Sequence, residues 1–185
     1  MNIIILGPQG SGKGTQAKLL VEKFGFDYFE SGEYLRRISE TNSELKKMLD
    51  EGVMVPDTEL TSYLTAYLDQ ESLYDNLLLD GFPRNLEQYN FLKVWLEDKH
   101  VKIDLVLVLT INKEETVKRL LLRKREDDTE EAIETRLELY KTRTEPLIEE
   151  LSKSTNVVKV NGERPVQEIQ DELIKIIERL QNEQN

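Results

Sequence analysis

The sequence contains no cysteine and a single histidine, His100, among 185 residues. Disulfides and thiolate metal sites are therefore excluded, cysteine-held zinc among them. His100 lies in a polar stretch without a neighbour to tune it, and reads as a solvated surface residue. Positive charge is in the minority: 25 Lys and Arg against 36 Asp and Glu leave a formal net charge of −11. The acidic residues are spread over helical faces, so nucleic-acid binding is not expected of the chain as a whole. No apolar run approaches ~20 residues and no charged leader opens the chain, so neither a membrane span nor a targeting segment is expected and the default location is cytoplasmic. There is no internal repeat, low-complexity tract or linker, and the length suits one domain with at most a small insertion. No apolar heptad or stripe asks for a second copy, so a monomer is expected.

What is present is organised around Gly7 to Thr15, GPQGSGKGT. An apolar strand, Ile3 to Leu6, runs into it, and a helix with Ala17, Leu20, Val21 and Phe24 at the spacing of one face leaves it. Gly7, Gly10 and Gly12 let the backbone turn so that successive N–H groups point inward at an anion. Gly14 removes a side chain where another group can approach, the helix N-terminus faces the same anion, and Lys13 adds a mobile charge. Strand, loop and helix are the context that a phosphate loop requires. The general pattern GxxxxGK[ST] has a hydroxyl directly after the lysine; here Thr15 comes one step late, which weakens direct magnesium ligation by the loop. The competing reading is a plain glycine-rich turn with a surface lysine.

Further along, Gly25 stops the first helix and Asp27 to Glu30 is a short extended segment. A small helix carries Tyr34, Leu35 and Ile38. A second starts near Ser43, carries Leu45, Met48 and Leu49, and stops at Gly52. Pro56 and Asp57 open a longer helix with Leu60, Leu64, Tyr67 and Leu68 as its stripe. One crossover helix suffices between parallel strands, so three in succession predict an inserted flap over residues 31–55. Leu77 to Leu79 read as a strand buried on both faces, and Asp80 emerges at the sheet edge where ligands sit. It is placed to meet magnesium through water, or to make a tight turn with Gly81 and Pro83. Asn85 and Gln88 form a variant capping box. Leu105 to Ile111 is a fourth strand. The helix led by Asn112 and Glu115 ends in Arg119, Arg123, Lys124 and Arg125, which spacing alone reads equally as a salt-bridge ladder or a phosphate-seeking cluster. Asp127, Asp128 and Thr129 start a helix with Ile133, Leu137 and Tyr140 inward and Arg136 and Arg143 on its other side. Val157 to Val160 is the last strand. The closing helix has Val166, Ile169, Leu173 and Ile176 or Ile177 inward and frays from Gln181. The alternation predicts an α/β fold, a five-stranded parallel sheet covered on both faces.

Over nearly its whole length the chain resembles the adenylate kinases, within the nucleoside monophosphate kinases. GPQGSGKGTQ is similar to that family's phosphate loop, in which glycine after the lysine is normal; this implies ATP contacts at Gly10, Ser11, Gly12, Lys13, Gly14 and Thr15. ESGEYLR resembles the acceptor segment, implying Ser31 and Gly32 near the AMP base and Arg36 on its phosphate, with Ser31 standing where Thr is more usual. GVMVPD implies Val53, Met54 and Val55 along the AMP adenine. LLLDGFPR implies Asp80 toward Mg2+, and Gly81, Phe82, Pro83 and Arg84 at AMP. Gln88 matches the glutamine that hydrogen-bonds AMP adenine, while Asn85 echoes the UMP/CMP kinases, which leaves a pyrimidine acceptor as the alternative. RLLLR implies Arg119 on the ATP adenine and Arg123 on phosphates. Arg125 and Arg136 complete the arginine set, and NGERPV sets the Arg164 backbone against ATP adenine. The resemblance thus implies reversible phosphoryl transfer between ATP and AMP, with Lys13, Arg84, Arg123, Arg125 and Arg136 as catalytic groups, Mg2+ as cofactor and no zinc. Where the family carries a lid, this chain has Lys124 alone, so residues 124–128 are expected to be a vestigial lid connection and the ATP side more open. A non-catalytic phosphate-loop binding module is the rival of another class.

Overall fold

The computed structural model describes residues 1–53, 55–70, 75–123, 125 and 128–184. Met54, expected at the AMP base, and Lys124 with Asp127 in the expected lid connection lie outside the described residues. Five strands, β1 (Ile3–Leu6), β2 (Asp27–Glu30), β3 (Leu77–Asp80), β4 (Leu105–Thr110) and β5 (Val157–Asn161), make one sheet in the order β2-β3-β1-β4-β5. Every neighbouring pair is parallel.

The strands are apolar throughout because each face has its own core. Ile3 and Ile5 of β1, with Leu78 and Leu107, pack on Ala17 and Leu20 of α1 (Lys13–Phe24) and on Ile169, Leu173 and Ile177 of α9 (Val166–Gln184). Ile4 and Leu6, one residue out of phase, join Leu79 and Val106 on the other face. There they meet Leu64 and Leu68 of α4 (Asp57–Gln70), Leu92 and Leu96 of α5 (Leu86–Asp98), and Leu147 and Leu151 of α8 (Glu145–Leu151). Two short helices, α2 (Ser31–Ser39) and α3 (Ser43–Asp50), come between β2 and α4; α6 (Lys113–Arg123) and α7 (Glu130–Leu139) come between β4 and the π-helical turn that precedes α8. Side-chain caps start several of these helices. Asn42 Oδ1 accepts from Leu45 N–H at 3.0 Å, Asn85 Oδ1 from Gln88 N–H at 2.9 Å and Asn112 Oδ1 from Glu115 N–H at 2.8 Å.

The helix after Thr129 runs on through the π-helical turn Tyr140–Thr144 into α8; Pro146, in the first turn of α8, has no N–H to give to the turn before it. Two sequence expectations are corrected. Val166 is 50 % exposed rather than inward, since α9 begins at the mouth of a cleft that this residue lines. The C-terminal helix persists to Gln184, with Leu180 still packed against the core beyond the fully buried Ile177. Among the described residues no helix is long and apolar enough to cross a membrane.

Candidate functional site

In this strand order the chain leaves β1 toward one side of the sheet and β4 toward the other, which opens a crevice at the C-terminal ends of the central strands. The loop after β1 fills it. Gly7 has φ of 145°, and a Cβ there would collide with the Leu109 carbonyl oxygen, so the loop can begin its turn beside β4 only with glycine. Gly12, at φ 96°, is the N-cap of α1, and Lys13 follows as its first residue. The Lys13 ammonium donates to the carbonyls of Gly7 at 2.7 Å and Pro8 at 3.0 Å, which folds the side chain back over its own loop. Burial lowers the Lys13 pKa to about 8, against the opposing pull of the Asp80 carboxylate.

Asp80 ends β3 next to the start of α1: a Cβ on Gly14 would lie 3.6 Å from Asp80 Oδ2. The carboxylate is 3 % exposed, and burial pushes its pKa up while Lys13 pulls it down and Glu30 adds to the rise. The Tyr28 hydroxyl donates to Asp80 Oδ2 at 3.2 Å and to Glu30 Oε2 at 3.1 Å; burial first, then the two carboxylates, raise the pKa of that phenol.

Two adjoining clefts meet over this loop. The larger, about 550 Å³, is lined by the cradle from Gly10 to Thr15, by Glu30 and Asp80, and by Arg119, Arg123, Arg125 and Arg164. The smaller, about 130 Å³, has an apolar end of Leu35, Leu49, Val53, Leu139 and Tyr140 and carries Arg136. Gln9, Lys13, Gly32, Arg36, Gly81 and Arg84 line both. The cations come from several elements, and most are held by acceptors of the chain itself. Arg84 donates from Nε to the Gly81 carbonyl at 2.7 Å and from a terminal nitrogen to Ser31 Oγ at 3.2 Å. Arg36 donates to Glu30 Oε1 at 3.3 Å. Asp128, its side chain 1 % exposed, accepts a fork of two bonds from Arg123 at 2.9 and 2.8 Å and a third from Arg136 at 3.4 Å. Arg136 also donates to the Leu49 carbonyl at 2.7 Å, which ties the end of α3 to α7. Arg119 reaches from Glu115 at 2.8 Å to the Gly162 carbonyl at 2.9 Å, across the mouth of the larger cleft.

All nine residues expected at ATP line the larger cleft. Of those expected at AMP, Gly32, Arg36, Val53, Gly81, Arg84 and Arg136 line the smaller one, whereas Arg125 lies on the larger. Ser31, Val55, Phe82, Pro83 and Gln88 are buried outside both linings. Gln88 is occupied within the protein: its carboxamide oxygen accepts from Arg84 N–H at 2.6 Å and its nitrogen donates to Asp57 Oδ1 at 2.6 Å. Asn85 Nδ2 donates to both Asp57 oxygens, at 3.0 and 2.9 Å. Sequence reasoning took Glu30 as the end of an extended segment and Asp57 and Asp128 as helix starters, and it assigned Tyr28, Thr144 and Gln9 nothing. The alternation Tyr28–x–Glu30 was the available signal, because it puts both side chains on one face of β2, beside Asp80 once the strands pair in register.

A glycine cradle on a parallel sheet, with a buried carboxylate beside it and a wall of cations between two clefts, defines the class of phosphate-loop phosphotransferases. The family model described as Adenylate kinase matches residues 5–156. Adenylate kinase of Corynebacterium aurimucosum is 38 % identical, over 95 % of this chain and 98 % of its own length, and that of Mycobacteroides abscessus 41 % identical over 80 % and 84 %. Adenylate kinase of Methanothrix thermoacetophila is 34 % identical over 98 % of this chain and all of its own; that alignment spans 215 positions, 30 more than this chain has residues. The chain belongs to the adenylate kinase family.

Proposed function

We propose that the chain transfers the γ-phosphoryl group of MgATP directly and reversibly to AMP, giving two ADP. The observation that carries this reading is the wall common to both clefts, where Lys13, Arg36 and Arg84 stand. ATP is assigned to the larger cleft, its phosphates on the N–H groups of Gly10 to Thr15 and its adenine side toward Arg119 and the Arg164 backbone. AMP is assigned to the smaller cleft, its base among Leu35, Val53 and Tyr140 and its phosphate toward Arg36, Arg84 and Arg136. Gln88 has a second N–H and a second lone pair beyond those it spends on Asp57 and Arg84, the pattern an adenine edge complements, but it is buried outside this cleft and would meet the base only if its cover moved. The phosphates of the two substrates then meet at the shared wall.

An AMP phosphate is already ionised near neutral pH, so its attack on phosphorus needs no general base. Catalysis rests on alignment of two anions and on charge spread around the group in flight. Arg84, with its planar fork, can grip an oxygen of each substrate, and Lys13 can follow the phosphoryl from donor to acceptor. Magnesium would neutralise charge on the ATP phosphates. The oxygen-only character of Asp80 and its place against Gly14 suit a hard cation held through its own waters. Among the described residues no group of three or more His, Cys, Asp and Glu side chains is placed to cage an ion without them. Residues 31–55 are read as the flap that closes over AMP, with the Arg136 to Leu49 bond as its tie to the core, and residues 124–128 as a vestigial lid connection.

Steady-state phosphoryl transfer from MgATP to AMP, CMP, UMP and GMP at equal concentration, with a no-acceptor control, tests the reading. AMP should be preferred by 10²-fold or more, roughly what hydrogen-bonded base recognition supplies. A preference for CMP or UMP would reassign the acceptor, and no transfer to any acceptor would end the kinase reading.

A further inference from the structure

The phosphoryl-transfer reading leaves one carboxylate of the larger cleft without a role. Glu30 ends β2 paired in register with Asp80 at the end of β3. A Cβ on Gly14 would lie 3.9 Å from Glu30 Oε2 and 3.6 Å from Asp80 Oδ2, so both acids face the first turn of α1, in a site built to attract anions. Each oxygen of Glu30 has a different donor. Oε1 takes Arg36 at 3.3 Å, and Oε2 takes the Tyr28 hydroxyl at 3.1 Å, the hydroxyl that also serves Asp80. The pair is partly screened from solvent, with the Glu30 side chain 18 % exposed and that of Arg36 33 %.

We propose that Glu30 is an internal stand-in for the AMP phosphate, holding Arg36 in the cleft, yielding it to that phosphate, and thereby coupling AMP binding to the binding of the magnesium nucleotide. This rests on the assignment of AMP to the smaller cleft. When Arg36 turns to a phosphate, Glu30 keeps the Tyr28 hydroxyl, a single O–H shared with a second, buried carboxylate, and the fields of Lys13 and Arg84, which the phosphates engage as well. Two acids in one partly desolvated place repel unless a positive charge replaces the arginine. The cation that accompanies ATP, on the Asp80 side of the same cleft, supplies it. AMP therefore binds weakly to the protein alone and more tightly once the magnesium nucleotide is in place, and the nucleotide gains by the same factor from AMP.

The test is calorimetric titration of AMP into the protein alone and into protein saturated with Mg2+ and β,γ-methylene-ATP, for the wild type and for Glu30→Gln. Glutamine keeps the volume and can keep the Tyr28 hydrogen bond without the charge. In the wild type the magnesium nucleotide should tighten AMP binding roughly 5- to 20-fold, within the ordinary range of coupling between sites. In Glu30→Gln, AMP should bind several-fold tighter to the protein alone, and the effect of the nucleotide should shrink below about 2-fold, because the repulsion it relieved is gone. Tyr28→Phe, which leaves Glu30 with Arg36 alone, should move the coupling the other way. Unchanged coupling in Glu30→Gln, or weaker AMP binding to that variant alone, would overturn the proposal. If the wild type binds CMP or UMP in place of AMP, the acceptor assignment fails instead, and the same titrations with that monophosphate still decide the role of Glu30.

Discussion

Replacing Lys13 with methionine should lower kcat/KM for MgATP on the order of 10³-fold, the upper end of what one preorganised charge at a reacting centre contributes. Lys13 lines both clefts and belongs to the first turn of the helix that follows the cradle. Its ammonium already turns toward the loop, held by the Gly7 and Pro8 carbonyls, so little reorganisation is required for it to meet a phosphate. Methionine keeps the apolar stem and removes only the charge and its donors. The same residue sets a pH limit. Burial leaves Lys13 with a pKa of about 8, so the protein without substrates holds this charge below that pH and loses it above. The kcat/KM for MgATP, which reports groups of the uncombined protein, should therefore be level up to about pH 8 and then fall with a slope near −1. Bound phosphates favour the charged form, so kcat at saturating substrates should hold to higher pH. A profile level through pH 9.5 in both parameters would contradict the lowered pKa of Lys13.

The second large effect is expected at Arg84. This guanidinium stands in the wall between the clefts, and burial depresses its pKa, with Asp80 opposing and Arg136 and Arg36 adding to the depression. Its Nε and one terminal nitrogen are held by Gly81 and Ser31, and Gln88 and Thr144 hold its backbone, so the fork is fixed before any substrate arrives. Arg84→Ala should cost roughly 10³-fold or more in kcat, with a smaller rise in the KM for AMP, because a charge that bridges donor and acceptor is most valuable in the transition state. Arg84→Lys should recover little, since an ammonium cannot span two oxygens in a plane. A loss below tenfold for Arg84→Ala would move the bridging role to Arg36 or Arg136.

Some of this was legible in the sequence for local reasons. The cradle is contiguous, and Asp80 directly follows an apolar strand, so both could be placed at one sheet edge from the pattern alone. The strands declared themselves as unbroken apolar runs because each sheet face is covered, with Ile3 and Ile5 serving one core and Ile4 and Leu6 the other. Arg119 and Arg123 were not legible in that way. Four-residue spacing fits a surface ladder as well as a phosphate site, and the structure has something of both, with Arg119 paired to Glu115 and also crossing to Gly162. Only the resemblance across several motifs separated the two readings.

What stayed hidden depends on pairings far apart in the chain. Asp57 and Gln88 are 31 residues apart, and each has a sufficient local explanation as a helix-start residue, so nothing in the sequence announces that one carboxylate orients the other's carboxamide. Asp128 sits where a helix N-terminus accounts for an acid, yet its side chain is buried between Arg123 and Arg136. Glu30 becomes part of the site only when β2 pairs with β3 in the register that sets it beside Asp80. Val166 was misjudged because helical periodicity identifies a face but not how far past the sheet that face extends.

On the mechanism proposed here, one phosphoryl group passes straight from ATP to AMP across a wall shared by both clefts, with no protein nucleophile between them. The stereochemical course at phosphorus tests this most directly, with ATP made chiral at its γ-thiophosphoryl group by oxygen isotopes and AMP as acceptor. Direct transfer requires inversion, the result of a single in-line displacement. Retention would require two displacements, and hence a phosphorylated intermediate on the protein, and would contradict it.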